Sequence, residues 1–242
     1  MLRGESKVTK LLGKKVNGEW VPTLNITSNA SGAAKAARKG DVVVIVDIID
    51  MSTTIESVLD AGAIDVFGAS PDYVSVPVQV NPEKIGYFAG KKALKNDTQL
   101  VIITEPRVGN EEERKENIQM ALTGVKRSGV AIEAILPNLG AEVVKMADFK
   151  DKVVLVITDS GGVAYDAAYN YGAPAVITGT VARTFKKNGV LPAKESAQRA
   201  IRMAQKFKTG ITLVAASSKS YEDVLAADHI GKLIIEEGFL EF

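Results

Sequence analysis

Five short runs of this chain are apolar at successive positions and rich in β-branched residues: 42–47, 100–104, 153–158, 175–178 and 211–215. A strand that meets water on one side alternates apolar with polar residues, so unbroken runs belong to strands covered on both faces. Segments with helical spacing lie between them, at 53–61, 82–94, 111–128, 162–171, 193–208 and 221–236. Strands and helices in alternation imply crossover connections, and hence a largely parallel sheet with helices on both sides. The expected fold class is α/β.

The 242 residues suit one large α/β domain or two small ones. No low-complexity linker interrupts them, so a single domain over 1–242 is expected, with residues 137–140 as a loop between two halves. Those halves, about 40–135 and 150–242, echo one another. Residues 43–70 read strand, polar turn with Asp50, helix, then Gly62-Ala63 and a short strand. Residues 153–180 read strand, turn with Asp159, helix, then Gly172-Ala173 and a short strand. The echo fits an internal duplication, and it is also what any two βαβ units would show.

Composition removes several function classes. Lys and Arg number 30 against 29 Asp and Glu, which argues against a nucleic-acid partner. Cysteine is absent, so neither a disulfide nor a thiolate metal site is available. The longest apolar run, 42–46, falls far short of the roughly 20 residues a membrane span needs. Residues 1–15 are basic without an apolar stretch, so no secretory signal is read there and the expected location is cytoplasmic. Val224, Leu225, Leu233 and Ile234 form an apolar helix face suited to the core or to a homo-oligomer surface. Asn17-Gly18-Glu19-Trp20 reads as a hairpin turn, and the sole histidine, His229, reads as a surface or interface residue.

In an open parallel sheet, ligands bind beyond the carboxyl ends of the strands. Three such ends are polar here. The first is Val46-Asp47-Ile48-Ile49-Asp50-Met51-Ser52-Thr53-Thr54. Asp47 closes an apolar strand, and its oxygens suit Mg²⁺, a hard cation that takes one or two acids plus water and substrate phosphate. Ser52, Thr53 and Thr54 open a helix, where hydroxyls, free N–H groups and the dipole favour an anion; plain N-capping by Ser52 is the alternative. The second end is Thr158-Asp159-Ser160-Gly161-Gly162, whose glycines let backbone amides approach an anion closely. The third is Thr104-Glu105-Pro106-Arg107, where Arg107 suits a carboxylate, sulfonate or phosphate. Arg107 could equally pair with Glu111-Glu112-Glu113, a run better suited to a helix first turn than to a metal.

Taken in order, these segments resemble the 2-phosphosulfolactate phosphatase family. The likeness is carried by Asp47 with Ser52-Thr53-Thr54 before a helix ending Ala61-Gly62-Ala63, and by residues 156–162, similar to the family's Thr-Asn-Gly-Thr turn. Thr178-Gly179-Thr180 resembles its Gly-Ser segment, and residues 220–227 resemble its Glu-Asp helix start. The ordered match runs from about 42 to 233. The resemblance implies a three-layer α/β/α sandwich and a Mg²⁺-dependent phosphatase of coenzyme M biosynthesis. It also implies Asp47 as metal ligand, Ser52 and Thr53 on phosphate, and Glu222 and Asp223 lining the site or structural. Where the family has Arg this chain has Asp50, and no counterpart of the family's Gly-Glu-Arg-Gly-Gly loop lies between 70 and 104. Arg107 or Arg183 would have to supply the missing cation.

The leading expectation is thus a Mg²⁺-dependent phosphatase of a phosphorylated small acid. Asp47, Asp50 and Arg107 are the catalytic candidates. Asp47 and Asp159 would hold the metal. Ser52, Thr53, Thr54, Asp159, Ser160, Gly161, Gly162, Thr180 and Arg183 would line the ligand site. The alternative is a diverged, non-hydrolytic protein of the same fold that binds a small anion or serves as a subunit. A third reading gives Asp47 and Asp50 to proton transfer.

Overall fold

Residues 42–46 form a strand with core on both sides. Val43 and Ile45 join one buried cluster, while Val42, Val44 and Val46 join another across the sheet. The computed structural model describes residues 15–16 and 19–241. In chain order the elements are β1 (Lys15–Val16), β2 (Glu19–Trp20), β3 (Leu24–Ser28), α1 (Asn29–Lys39), β4 (Val42–Val46), α2 (Ser52–Asp60), β5 (Asp65–Ala69), α3 (Pro82–Lys95) and β6 (Leu100–Thr104). They continue with α4 (Glu111–Glu116), α5 (Gln119–Ser128), β7 (Ile132–Pro137), β8 (Val153–Ile157), α6 (Gly161–Asn170), β9 (Val176–Gly179), α7 (Leu191–Phe207), β10 (Ile211–Ala215) and α8 (Tyr221–Glu236).

Two four-stranded sheets result, ordered β3-β10-β4-β9 and β5-β8-β6-β7. Every pairing within them is parallel. With helices packed on their faces, the fold is an α/β/α sandwich in three layers. The chain changes sheet twice: α2 carries it from β4 to β5, and α6 carries it back from β8 to β9. Both crossovers start at the carboxyl end of an inner strand. Edge strands β5 and β9 then line a common cavity of about 170 Å³, with Asp65 and Val66 on one side and Val176, Ile177 and Thr178 on the other. No helix among the described residues is long and apolar enough to cross a membrane.

Several details depart from the sequence reading. The segment read as one helix over 111–128 is two, α4 and α5, broken at Asn117 and Ile118. Residues 137–140, read as a loop, include the end of strand β7 and the start of a 3-10 turn. Strand β3 and helix α1 were not expected. The two residue pairs Lys15/Trp20 and Val16/Glu19 form an antiparallel ladder. Asn17 and Gly18, the turn read between them, lie outside the described residues, as do residues 1–14 of the basic N-terminus. Trp20 stacks at a tilt on Phe239, ring centres 6.1 Å apart.

Helices α3 and α5 approach closely because glycines line their contact. A methyl added at Gly124 would enter hard contact with the Glu83 carbonyl, and one at Gly86 would strike the Ala121 carbonyl. Backbone cannot yield as a flexible side chain does. Gly124→Ala should therefore destabilise the chain by about 1–3 kcal/mol, the usual cost of overpacking, despite the better helix propensity of alanine. Thermal unfolding would register this as a lowered Tm; an unchanged or raised Tm would show that the helices can part without cost.

Candidate functional site

The polar turns at the ends of β4, β6 and β8 meet at the carboxyl edge of the two sheets. At their centre is Asp47, buried to 2% exposure at the end of β4. One oxygen, Oδ1, accepts from the Asp50 amide at 2.9 Å. The other, Oδ2, accepts from the Ser160 hydroxyl at 2.7 Å and the Gly161 amide at 2.6 Å. Gly161 opens α6, where orphan amides and the helix dipole favour negative charge. The anion held at this helix start is the protein's own Asp47. A methyl on Gly161 would fall 2.5 Å from Asp47 Oδ2, so the close approach needs glycine there. Asp47 thereby ties the β4–α2 turn to the β8–α6 turn.

The hydroxyls that open α2 are likewise turned inward. Ser52 accepts from the Asp47 amide and donates to the Ile45 carbonyl, both at 2.9 Å. Thr53 donates to the Ile48 carbonyl at 2.7 Å and shares a 3.0 Å hydrogen bond with Thr180. Thr54 donates to Asn138 Oδ1 at 2.5 Å. All three residues are buried, as is Thr180. Ser52 is the first helical residue, not the N-cap, and α2 has no side-chain cap. Gly162, second in α6, directs its amide to the Thr158 hydroxyl at 2.9 Å.

Outside this tie lies a charged mouth. Arg107 Nη2 donates to Asp50 Oδ1 at 2.8 Å and to the Ile49 carbonyl at 3.1 Å, and its Nε lies 3.5 Å from Glu105 Oε1. Arg107 does not pair with the acidic run. Glu111, Glu112 and Glu113 form the first turn of α4, closed by a capping box between Asn110 and Glu113. Burial, followed by the Asp47 charge, raises the Asp50 carboxyl above its ordinary range; Glu105 and Asp159 add to this and Arg107 opposes it. Asp159 is exposed and accepts from the Tyr73 hydroxyl. Burial and that hydrogen bond raise the Tyr73 hydroxyl above its ordinary value.

Four residues that sequence reasoning did not draw from their own segments complete the arrangement. Asn138 is fully buried; its Nδ2 donates to the Asp50 carbonyl and, at 3.1 Å, to Glu105 Oε1. Glu105 stood in the third polar strand end without a role of its own, and Tyr73 was not singled out. Asp223, named only through the family resemblance, starts α8 and accepts from the Ile48 amide at 2.9 Å. Burial lifts its carboxyl to about 7, with the Asp47 charge adding to the shift and the Ile48 hydrogen bond opposing it. No local pattern marks Asn138, although its place within the break at 137–140 is a cue. Arg183 is exposed and pairs with Glu142 at 2.6 Å. His229 is exposed on α8.

Oxygen donors dominate the mouth, with Asp50, Glu105 and Asp159 as acids. Among the described residues no group of three or more His, Asp or Glu side chains is gathered closely enough to enclose a metal ion. One or two carboxylates beside a substrate phosphate meet the needs of Mg²⁺ without such a cage. No protein-family model matches the chain, and no curated protein is significantly similar to it.

Proposed function

We propose that the carboxyl edge binds a phosphorylated small acid and hydrolyses its phosphoester with the help of Mg²⁺. The observation that carries this reading is the Arg107 guanidinium set between Asp50 and Glu105, a fork for an anion amid hard oxygen donors. Asp159 and Glu105 would hold the metal, whose chemistry is to neutralise charge on the phosphoryl oxygens. Asp47 is assigned a tying role here, because both of its oxygens already accept hydrogen bonds.

The remaining roles follow from the side chains. Arg107 holds the phosphate or the acid group. Water attacks phosphorus, the ester P–O bond breaks, and inorganic phosphate leaves with the hydroxy acid. Asp50 delivers the proton to the departing ester oxygen from Oδ2, since Oδ1 faces Arg107. A carboxyl raised by burial and by neighbouring acids keeps a proton to higher pH, as a general acid requires. Asn138 fixes the Asp50 backbone and Glu105 together.

Phosphate release from a panel of phosphorylated small acids, with and without Mg²⁺, tests the proposal. Arg107→Ala should lower kcat/KM by about 10- to 100-fold, the loss of a charge-assisted anion contact. Silence of the folded protein across the panel would overturn the hydrolase. One observation favours a second reading, binding of a small anion without hydrolysis: the Ser52, Thr53 and Thr54 hydroxyls are engaged inside the protein. Mg²⁺-indifferent binding of the same panel without phosphate release would select it.

A further inference from the structure

Residues 71–80 run between β5 and α3 as an extended strap with alternating character. Val74, Val76, Val78 and Val80 pack on Ala30 and Ala34 of α1 and on Val163 and Ala167 of α6. Ser75, Pro77 and Gln79 are exposed. A single buried side chain on α6 fastens both ends: Asp166 Oδ2 accepts from the Ser70 amide at 3.3 Å, and Oδ1 accepts from the Asn81 amide at 2.7 Å. Near its start the strap carries Tyr73, whose hydroxyl donates to Asp159 at the mouth of the site.

We propose that the strap 71–80 is a latched lid on the site, with Asp166 as the latch at both ends and Tyr73 as the tip that occupies Asp159. The lid function rests on reading Asp159 as part of the ligand site. When the lid is closed, Asp159 shares one oxygen with Tyr73; when the strap lifts, that carboxylate is released to a cation or ligand. Apart from Asp166, the strap is held by valine contacts on two helices, by Asp72, whose amide donates to the Asn117 carbonyl at 2.9 Å and whose carboxylate accepts from the Met120 amide at 3.2 Å, and by weak bonds at Gln79, 3.3 Å to the Tyr171 hydroxyl and 3.4 Å from Asn170.

The latch is sensitive to protons. Burial raises the Asp166 carboxyl to about 6 from the ordinary 3.8, against the opposing hydrogen bonds from Asn81 and Ser70 and the charge of Lys84. Lys84 is the charged neighbour from α3 that acts on it, while Glu83 of that helix is turned to Arg127. On α1, Arg38 stacks over Tyr171 and Lys35 lines the groove beside β3. From the strap, Asp72 is bonded to the Met120 amide and Tyr73 to Asp159. Lifting the strap returns water to Asp166 and lowers its carboxyl toward the ordinary range. The closed lid therefore binds the proton more tightly, so closure is favoured below the open-state value and weakens as pH rises through about 6. The gap between 3.8 and about 6 sets a ceiling of about a hundred-fold on this change.

Hydrogen exchange of the full chain read by mass spectrometry tests the lid. After correction for intrinsic rates, amides of 71–81 should be up to about thirty-fold better protected at pH 4.5 than at pH 7.5, with the logarithmic midpoint of the whole change near about 5, between the open and closed values, and no change above about 7. Asp166→Asn, which cannot titrate, should flatten that profile. Tyr73→Phe should speed strap exchange several-fold and leave the midpoint in place. Protection of the strap in the unaltered chain that is indifferent to pH would overturn the latch, and needs no variant to fold. A pH profile that survives Asp166→Asn would do so as well, and strap exchange unchanged in Tyr73→Phe would remove the tip. Phosphate release is not the readout, so a pH-gated strap on an inactive protein would keep the lid and sink the hydrolase.

Discussion

Glu56→Ala should be the most destabilising single substitution among those considered, by about 3–5 kcal/mol, since it strands a buried charge. Glu56 lies on α2 with 4% of its side chain exposed, and its partner Arg199 on α7 is 20% exposed. The carboxylate takes the Arg199 guanidinium and, at 2.6 Å, the Thr178 hydroxyl, while Arg199 also donates to the Thr178 carbonyl at 2.7 Å. This group stands where α2, α7 and edge strand β9 come together. Alanine would leave the guanidinium without its counter-charge and Thr178 without its acceptor. Chemical denaturation should show a lowered midpoint at an unchanged slope. Replacing both partners with apolar residues of similar volume should cost far less, because two uncompensated groups disappear together. If Glu56→Ala unfolded at the midpoint of the unaltered chain, the pair would contribute nothing and Arg199 would have found water.

Asp47→Ala should cost about 3 kcal/mol or more and should act on stability before chemistry. It leaves the Asp50 amide, the Ser160 hydroxyl and the Gly161 amide without their acceptor. Each stranded donor costs about 1–3 kcal/mol, and the three are not additive. Asp47→Asn retains one acceptor oxygen and should recover part of the loss. Unfolding and phosphate release measured on the same preparations separate the two roles open to this residue. Stability near that of the unaltered chain together with abolished turnover would make Asp47 a ligand of the reaction; a matched fall in both would make it the tie between the two turns.

Strands β4, β6, β8 and β10 were legible because both faces of each are buried, leaving five buried residues in a row that are apolar apart from Thr104 and Thr212. Of the edge strands, β5 and β9 were read and β3 and β7 were not. In β7, Ile132 and Glu133 are exposed and Pro137 ends the run; in β3, Asn25 and Ile26 are exposed. Helix α1, with the sequence NASGAAKAARK, buries five alanines and no large side chain, so its apolar stripe is faint. At the site, acids at the ends of apolar strands stood out locally: Asp47, Asp50 and Asp159 could be found from sequence because a strand end beside a helix start is where charge is useful. Their partners could not. Ser160 and Asp47 are 113 positions apart, and Asn138 lies 88 positions from Asp50. The inward turn of Ser52, Thr53 and Thr54 was hidden for a related reason: a hydroxyl at a helix start looks the same whether it meets a ligand or another strand.

The order β3-β10-β4-β9 has a consequence for synthesis. Strand β10, at residues 211–215, lies between β3 at 24–28 and β4 at 42–46, both made long before it. Until the ribosome has delivered it, β3 and β4 have no shared ladder, and the Val42–Val46 run lacks one of its two neighbours, the other being β9 at 176–179, itself made late. The other sheet draws its four strands from one contiguous stretch, 65–157, and can close while translation continues. A nascent chain with one sheet zipped and an unpaired valine-rich strand waiting is prone to intermolecular pairing. The late strand that completes the fold also ends the period in which a nascent chain most needs a chaperone.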